Sequence, residues 1–392
     1  MTTDGLPLKS GGMGTIAESI PTRRRWPKYT LIALLLIAVA IGLFTLRLLW
    51  RAGSFRTITP HFAGRCRLID GPVGPEDLTI DAGANRAYVS ASDRRAAATG
   101  RPVPGAMWAY ALDAPDTDET RLVNLTPDAT TYFQPHGISL WVGEDGRRAL
   151  FVVNHPAPGN GWPAHTIEIY DIGDAGLVHR ATLTDPRLIM PNDVVAVGLD
   201  RFYVTNTHAH APGWAQTIET YLQLREAQVL SYGPGGFRTA ATDLLFPNGI
   251  NVSRDGQTVY IASVTGLSVL VFDRDPRTDA LTARGEIPVG SGPDNIEIDA
   301  DGALWVGSHP KLLAVQRHAA DASARAPGQV IRIRPGRDDA SAQVEEVYLS
   351  DGTPIGAISA AARRGDRLLM GQIFGRGFLD CVMDQEGGQP AQ

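Results

Sequence analysis

The chain is short of several things, and each shortage narrows what it is. Cysteine occurs twice in 392 residues, at Cys66 and Cys381. Structural zinc sites draw on closely spaced cysteine pairs, so two cysteines without neighbours exclude a zinc knuckle. They flank the region of globular composition, and two readings stay open: one bridge closing nearly all of that region, or two unrelated buried thiols. There is no basic excess either, the formal net charge being -6. Such a chain has no field to neutralise many phosphates, and nucleic acid is not an expected partner. Helical periodicity is scarce after Arg65, hardly any ten-residue stretch showing it apart from residues 217–229.

What is present begins with 43% hydrophobic and 20% charged residues, enough for one large domain or two ordinary ones. One long apolar run stands out, TLIALLLIAVAIGLFTL over residues 30–46, extended by Leu48, Leu49 and Trp50. About twenty such residues span a bilayer core. Arg23, Arg24, Arg25 and Lys28 precede the run, only Arg47, Arg51 and Arg56 follow it closely, and no small-residue cleavage motif ends it. The expectation is a single-pass membrane anchor over residues 30–50. A disordered cytoplasmic tail (1–29) precedes it, and a linker (51–64) leads to a body on the far, oxidising side. A cleaved signal peptide and a buried core helix are the competing readings.

From Arg65 on, short β-branched and aromatic runs alternate with Gly, Asp, Asn and Pro, which is an all-β pattern. A longer unit recurs: a polar residue, a short apolar strand, a tight turn, then a strand rich in Tyr, Trp or Val. It begins at Pro75, Pro135, Pro191, Pro247, Pro293 and, more weakly, Pro354, at intervals of 46 to 61 residues. Each unit has room for the four strands of a propeller blade. Six units predict a six-bladed β-propeller over residues 65–384, followed by a flexible tail (385–392). Its last sheet must borrow a strand from the other end of the chain, a junction that a Cys66 to Cys381 bridge would pin. The innermost strand of each blade starts at the central tunnel, so function is expected at the strand heads: Glu76-Asp77, His136-Gly137, Asn192-Asp193, Asn248-Gly249, Asp294-Asn295 and Ile355-Gly356. Carboxylates and amide oxygens without thiolate select calcium.

The motifs GPEDLTID, PHGIS, VVNHP, PNDVVAVG, NGINVS, PDNIEID and WVGSHP, in this order between Arg65 and Cys381, resemble those of the paraoxonases, or serum arylesterases. The resemblance implies two calcium ions in the tunnel and hydrolysis of small lactones, aryl esters and sometimes phosphotriesters. It assigns a catalytic calcium to Glu76, Asn192, Asn248, Asp294 and Asn295, and a structural calcium to Asp77, Asp193 and the backbone carbonyl of Ile138. It makes His136 the general base, His155 its orienting partner and His309 a supporting group. Asp294 as a nucleophile forming an acyl-enzyme is the competing mechanism. The family's unpaired cysteine before the His-Pro pair is Ser308 here, and the loops 94–101 and 207–214 depart from the family's versions, which puts substrate preference in doubt. A gluconolactonase-like lactonase and a non-catalytic extracytoplasmic binding propeller are the alternative functions.

Overall fold

The computed structural model describes Met1 and residues 28–115, 121–156, 165–174 and 176–384. The C-terminal tail expected over 385–392, and all but Met1, Lys28 and Tyr29 of the N-terminal tail expected over 1–29, lie outside them. The chain divides into two units, Met1–Arg47 and Leu48–Gln392. The helix Lys28–Arg51 contains a stretch, Tyr29–Arg51, long and apolar enough by length and composition to cross a membrane.

In the second unit the alternating β-branched runs pair as six antiparallel sheets. These are the six blades. Their innermost strands are Pro75–Asp81, Pro135–Val142, Pro191–Gly198, Pro247–Val252, Gly292–Ile298 and Ile358–Arg364. The sixth blade takes its outermost strand, Gly64–Val73, from the N-terminal side, where it pairs antiparallel with Arg376–Met383 and sets Cys66 opposite Cys381. The two form a disulfide. A further short strand, His61–Phe62, adds a fifth member to the fifth blade by pairing with Leu349 and Tyr348.

The core lies between blades rather than within one centre. Blade two contributes Phe151, Val153, Ile167 and Ile169 to a layer completed by Val194, Phe202, Val204 and Leu230 of blade three. Leu78, Val89 and Tyr110 of blade one meet Ala360, Leu369 and Phe378 of blade six. Each such large side chain contributes about 1.5 to 3 kcal/mol by leaving water. Every blade is therefore stabilised by both neighbours, and the ring needs closure.

One irregularity repeats in all six blades. The register between the innermost strand and its partner shifts at the head: Pro75/Asp77, Pro135/Ile138, Pro191/Val194, Pro247/Ile250, Pro293/Ile296 and Ile358/Ala361. A β-bulge re-aims the side chains beside it, and proline, having no amide hydrogen to place in the ladder, suits the first strand position. The repeated bulges also correct the sixth head. It is Ile358-Ser359-Ala360, not Ile355-Gly356; Pro354-Ile355-Gly356 imitates the motif, but Ile355 is buried in the apolar layer with Trp305 and Leu368. The helix expected within 217–229 is Trp214–Leu222, because Ala227–Gly233 is drawn into the third blade's sheet. Two further helices, Arg94–Ala98 and Leu312–Ala320, stand in loops between strands.

Candidate functional site

The bulged heads turn their polar side chains into the tunnel, and small neighbours let the blades close around it. A Cβ on Gly249 would lie 2.3 Å from the carbonyl oxygen of Asp294, and one on Gly137 would lie 2.4 Å from the Asp193 Cα. Hydrogen bonds then latch adjacent blades at the heads. The Thr205 hydroxyl donates to the Asn248 carbonyl at 2.6 Å, and the Ser359 hydroxyl to the Glu76 carbonyl at 2.5 Å.

At the heads, five side-chain oxygens are buried without a hydrogen bond among the described residues: Glu76 Oε2, Asn192 Oδ1, Asn248 Oδ1, Asp294 Oδ1 and Asn295 Oδ1. Glu76, Asn192, Asn248 and Asp294 line one cavity of about 310 Å³, together with His136 and His309. Asn295 joins them by donating from Nδ2 to Glu76 Oε1 at 3.0 Å. A buried acceptor without a donor costs about 1 to 3 kcal/mol, so five from four blades would be a heavy concentration of cost in an empty site. Two carboxylates and three amide oxygens, with no thiolate, are a donor set that fits a hard divalent cation such as calcium.

The second head pair differs. Asp77 accepts amide hydrogens from Leu78 at 2.9 Å and Ile138 at 2.7 Å. Asp193 accepts them from Val194 at 2.7 Å and Ile250 at 2.8 Å. Ile138 thus meets Asp77 through its N–H. Burial, then the charges of Asp193 and Glu76, push the Asp77 carboxyl well above its usual range. Burial likewise raises Asp193 against the pull of its amide donors. Two buried carboxyls repelling each other call for a proton or a cation.

Burial alone would raise Glu76, but the facing His136, Arg94 and Asn295 outweigh it and hold its carboxyl at about 2. Glu76 Oε2 lies 3.4 Å from His136 Nε2 and 3.6 Å from Arg94 Nη2. His136 Nδ1 shares a hydrogen bond with His155 Nε2 at 2.8 Å, and His155 Nδ1 shares another with His165 Nδ1 at 2.8 Å. Burial, and then the neighbouring His136 and His165, keep His155 well below the ordinary histidine value, and burial lowers His165 too. On the opposite wall His309 Nε2 meets Asp294 Oδ2 at 2.8 Å. Burial raises the Asp294 carboxyl, with His309 opposing.

The residues expected from sequence therefore converge, with His155 standing behind His136 rather than on the cavity wall. Three residues were not foreseen. His165 precedes the third strand of blade two, outside any head. Arg94 belongs to the loop marked only as divergent. Ser359 was hidden by the misplaced sixth head, though a polar residue four positions after Ile355 was its available signal. The rest of the cavity wall is mostly apolar, from Phe246, Val264, Leu312, Val315 and Ile373, with Thr220, Thr265 and Gln316 among them.

Residues 100–382 match the Arylesterase family profile. Serum paraoxonase/arylesterase 1 of Rattus norvegicus is 31% identical over 334 residues, covering 83% of this chain and 91% of that protein. The Homo sapiens protein of the same name is 30% identical over 353 residues, covering 88% and 97%. Among solved structures, a calcium-binding protein, regucalcin from Agrobacterium tumefaciens, aligns with a TM-score of 0.52 at 16% identity, over 82% of this chain and 93% of that one, a likeness of fold alone. With the motif order, the propeller and these alignments in agreement, the chain belongs to the arylesterase, or paraoxonase, family.

Proposed function

We propose that this protein is a calcium-dependent hydrolase of small lactones and aryl esters. The observation that carries the reading is the set of five oxygens without a hydrogen bond gathered beside an imidazole, on four residues that line one cavity and on Asn295, which is bonded to Glu76. Glu76, Asn192, Asn248, Asp294 and Asn295 would hold the catalytic calcium; Asp77, Asp193 and the Ile138 carbonyl would hold a structural one. The charges suit this, two carboxylates standing at each position. When bound, the catalytic ion supplies Lewis-acid polarisation of the substrate carbonyl.

His136 Nε2 faces the cavity and takes a proton from the attacking water. Its Nδ1 hydrogen is directed to His155 Nε2, which fixes the tautomer that leaves Nε2 free as a base. The His155 Nδ1 hydrogen is directed in turn to His165, so three imidazoles give the proton onward positions away from the substrate. His309 orients Asp294 and keeps one of its oxygens engaged. The apolar wall holds the acyl or ring portion and excludes water.

The family likeness and the disulfide, which suits an oxidising compartment, support placing the propeller outside the cytoplasm. The helix Lys28–Arg51 would then serve as its membrane anchor or as a signal sequence.

The test is hydrolysis of phenyl acetate and of γ- and δ-lactones by the full-length chain, with calcium and after chelation. Turnover that disappears with chelator and returns with calcium is the expected result. A folded, calcium-loaded protein that turns over no ester would instead be a binding propeller.

A further inference from the structure

The cavity holds one charged group that the reaction above does not use. Arg94 opens the short helix Arg94–Ala98, whose start is fixed by the Asp93 side chain accepting from the Ala96 amide. Its Nη1 donates to the carbonyl oxygens of Gly74 at 3.1 Å, Ser92 at 3.4 Å and Ile373 at 3.4 Å. One end of the guanidinium is thereby clamped. Nη2, at the other end, is buried without a hydrogen-bond acceptor among the described residues, and its nearest carboxylate oxygen, on Glu76, stands at 3.6 Å. The side chain is only 19% exposed and lies on the cavity wall.

Arginine stays charged in proteins, so this cation is permanent. If Glu76 and Asp294 together balance a divalent ion, Arg94 is left as an uncompensated positive charge facing a cavity whose other lining side chains, apart from the histidines, are neutral or apolar: Thr220, Gln316, Phe246, Leu312 and Val315 among them. A poorly solvated cation with free donors recruits an anion, and a guanidinium fork suits a carboxylate.

We infer that Arg94 binds a carboxylate on the substrate, so that the preferred substrates are esters or lactones carrying a free carboxylate within a few bonds of the scissile carbonyl. This rests on the hydrolase reading above. The clamp on Nη1 makes the donor preorganised, and the nearness of Nη2 to Glu76 is what keeps the carboxylate close to the reacting carbon.

The experiment compares kcat/KM for γ-butyrolactone and its 3-carboxylate, and for phenyl acetate and monophenyl succinate, using the full-length chain in calcium. Preference for the charged member of each pair is expected, and Arg94→Gln should reduce the charged-to-neutral ratio by about 10- to 100-fold, the range for a charge-assisted hydrogen bond. Arg94→Lys should retain part of it, because it keeps the charge and loses the fork. Glutarate binding by calorimetry at saturating calcium provides a reading independent of turnover: it should be present in the unaltered chain and weakened in Arg94→Gln. If no ester is hydrolysed but glutarate binding depends on Arg94, the hydrolase reading fails and the anion site stands. A ratio unchanged in Arg94→Gln, or no glutarate binding by the unaltered chain, would overturn the inference and reduce Arg94 to a clamp on the backbone at Ile373.

Discussion

His136 is held at both ring nitrogens, by His155 on one side and facing Glu76 on the other, so its Nε2 has little freedom to point elsewhere. His136→Gln should lower phenyl acetate turnover by about 10² to 10⁴; an unchanged rate would move the chemistry to Asp294. A second histidine bears on stability. His208 is 4% exposed and meets the hydroxyls of Thr207 at 3.0 Å and Thr220 at 2.9 Å. Burial, with some help from His210, brings it down to about 4. Because the folded value lies below the unfolded one, the unfolded chain takes up this proton first as pH falls, and stability is lost between about pH 6.5 and pH 4. The loss of stability from pH 7.5 to pH 5, measured by urea unfolding, should be about 2 kcal/mol smaller in His208→Asn than in the unaltered chain. Head residues such as Glu76 and Asn192 could be read from sequence because the repeat places them at one position in every unit. His165 and Arg94 have no such address; their place in the site depends on the path of loops between strands.

At the scale of the element, the bulge at each head decides function, since it turns two consecutive side chains toward the tunnel where a regular strand would send alternate ones to opposite faces. Sequence gives the repeat but not the bulge, and so the sixth unit could be placed four residues early, at Pro354 in place of Ile358, without violating any pattern. The helix Leu312–Ala320, which supplies Leu312 and Val315 to the cavity, also escaped notice because nine residues are too few for a clear periodic signal. Gly249 tests the close approach of heads. With the Asp294 carbonyl 2.3 Å and the Asn295 Cα 2.6 Å from its would-be Cβ, Gly249→Ala must push the neighbouring head aside. A loss of about 1 to 3 kcal/mol in stability is expected, with weaker calcium binding measured by calorimetry. Gly235, which has nothing within 4 Å of such a Cβ, is the control: Gly235→Ala should change neither quantity.

For the whole molecule the question is what keeps the ring shut. The inter-blade layers stabilise each blade only while both neighbours stay in place, so the seam between blades six and one is where opening begins. Three features guard it: the pairing of Gly64–Val73 with Arg376–Met383, the Cys66 to Cys381 bridge in that pairing, and the Ser359 to Glu76 hydrogen bond across the seam. The overall plan was legible because both cysteines fall where a closing strand is needed; the extra strand His61–Phe62 was not, being two residues long without a sequence signal. The bridge joins positions 315 residues apart, and restricting so long a loop in the unfolded chain contributes about 5 to 6 kcal/mol on the chain-entropy account. The strand pairing survives without it, so Cys66→Ala with Cys381→Ala should fold but lose many degrees of Tm. Calcium held as proposed would act elsewhere, at heads belonging to several blades, by binding only the folded ring. Chelation should therefore lower Tm in both forms by similar amounts, as independent sites require. A double variant with no further response to chelator would show that ring closure, rather than the gathered oxygens, governs metal retention.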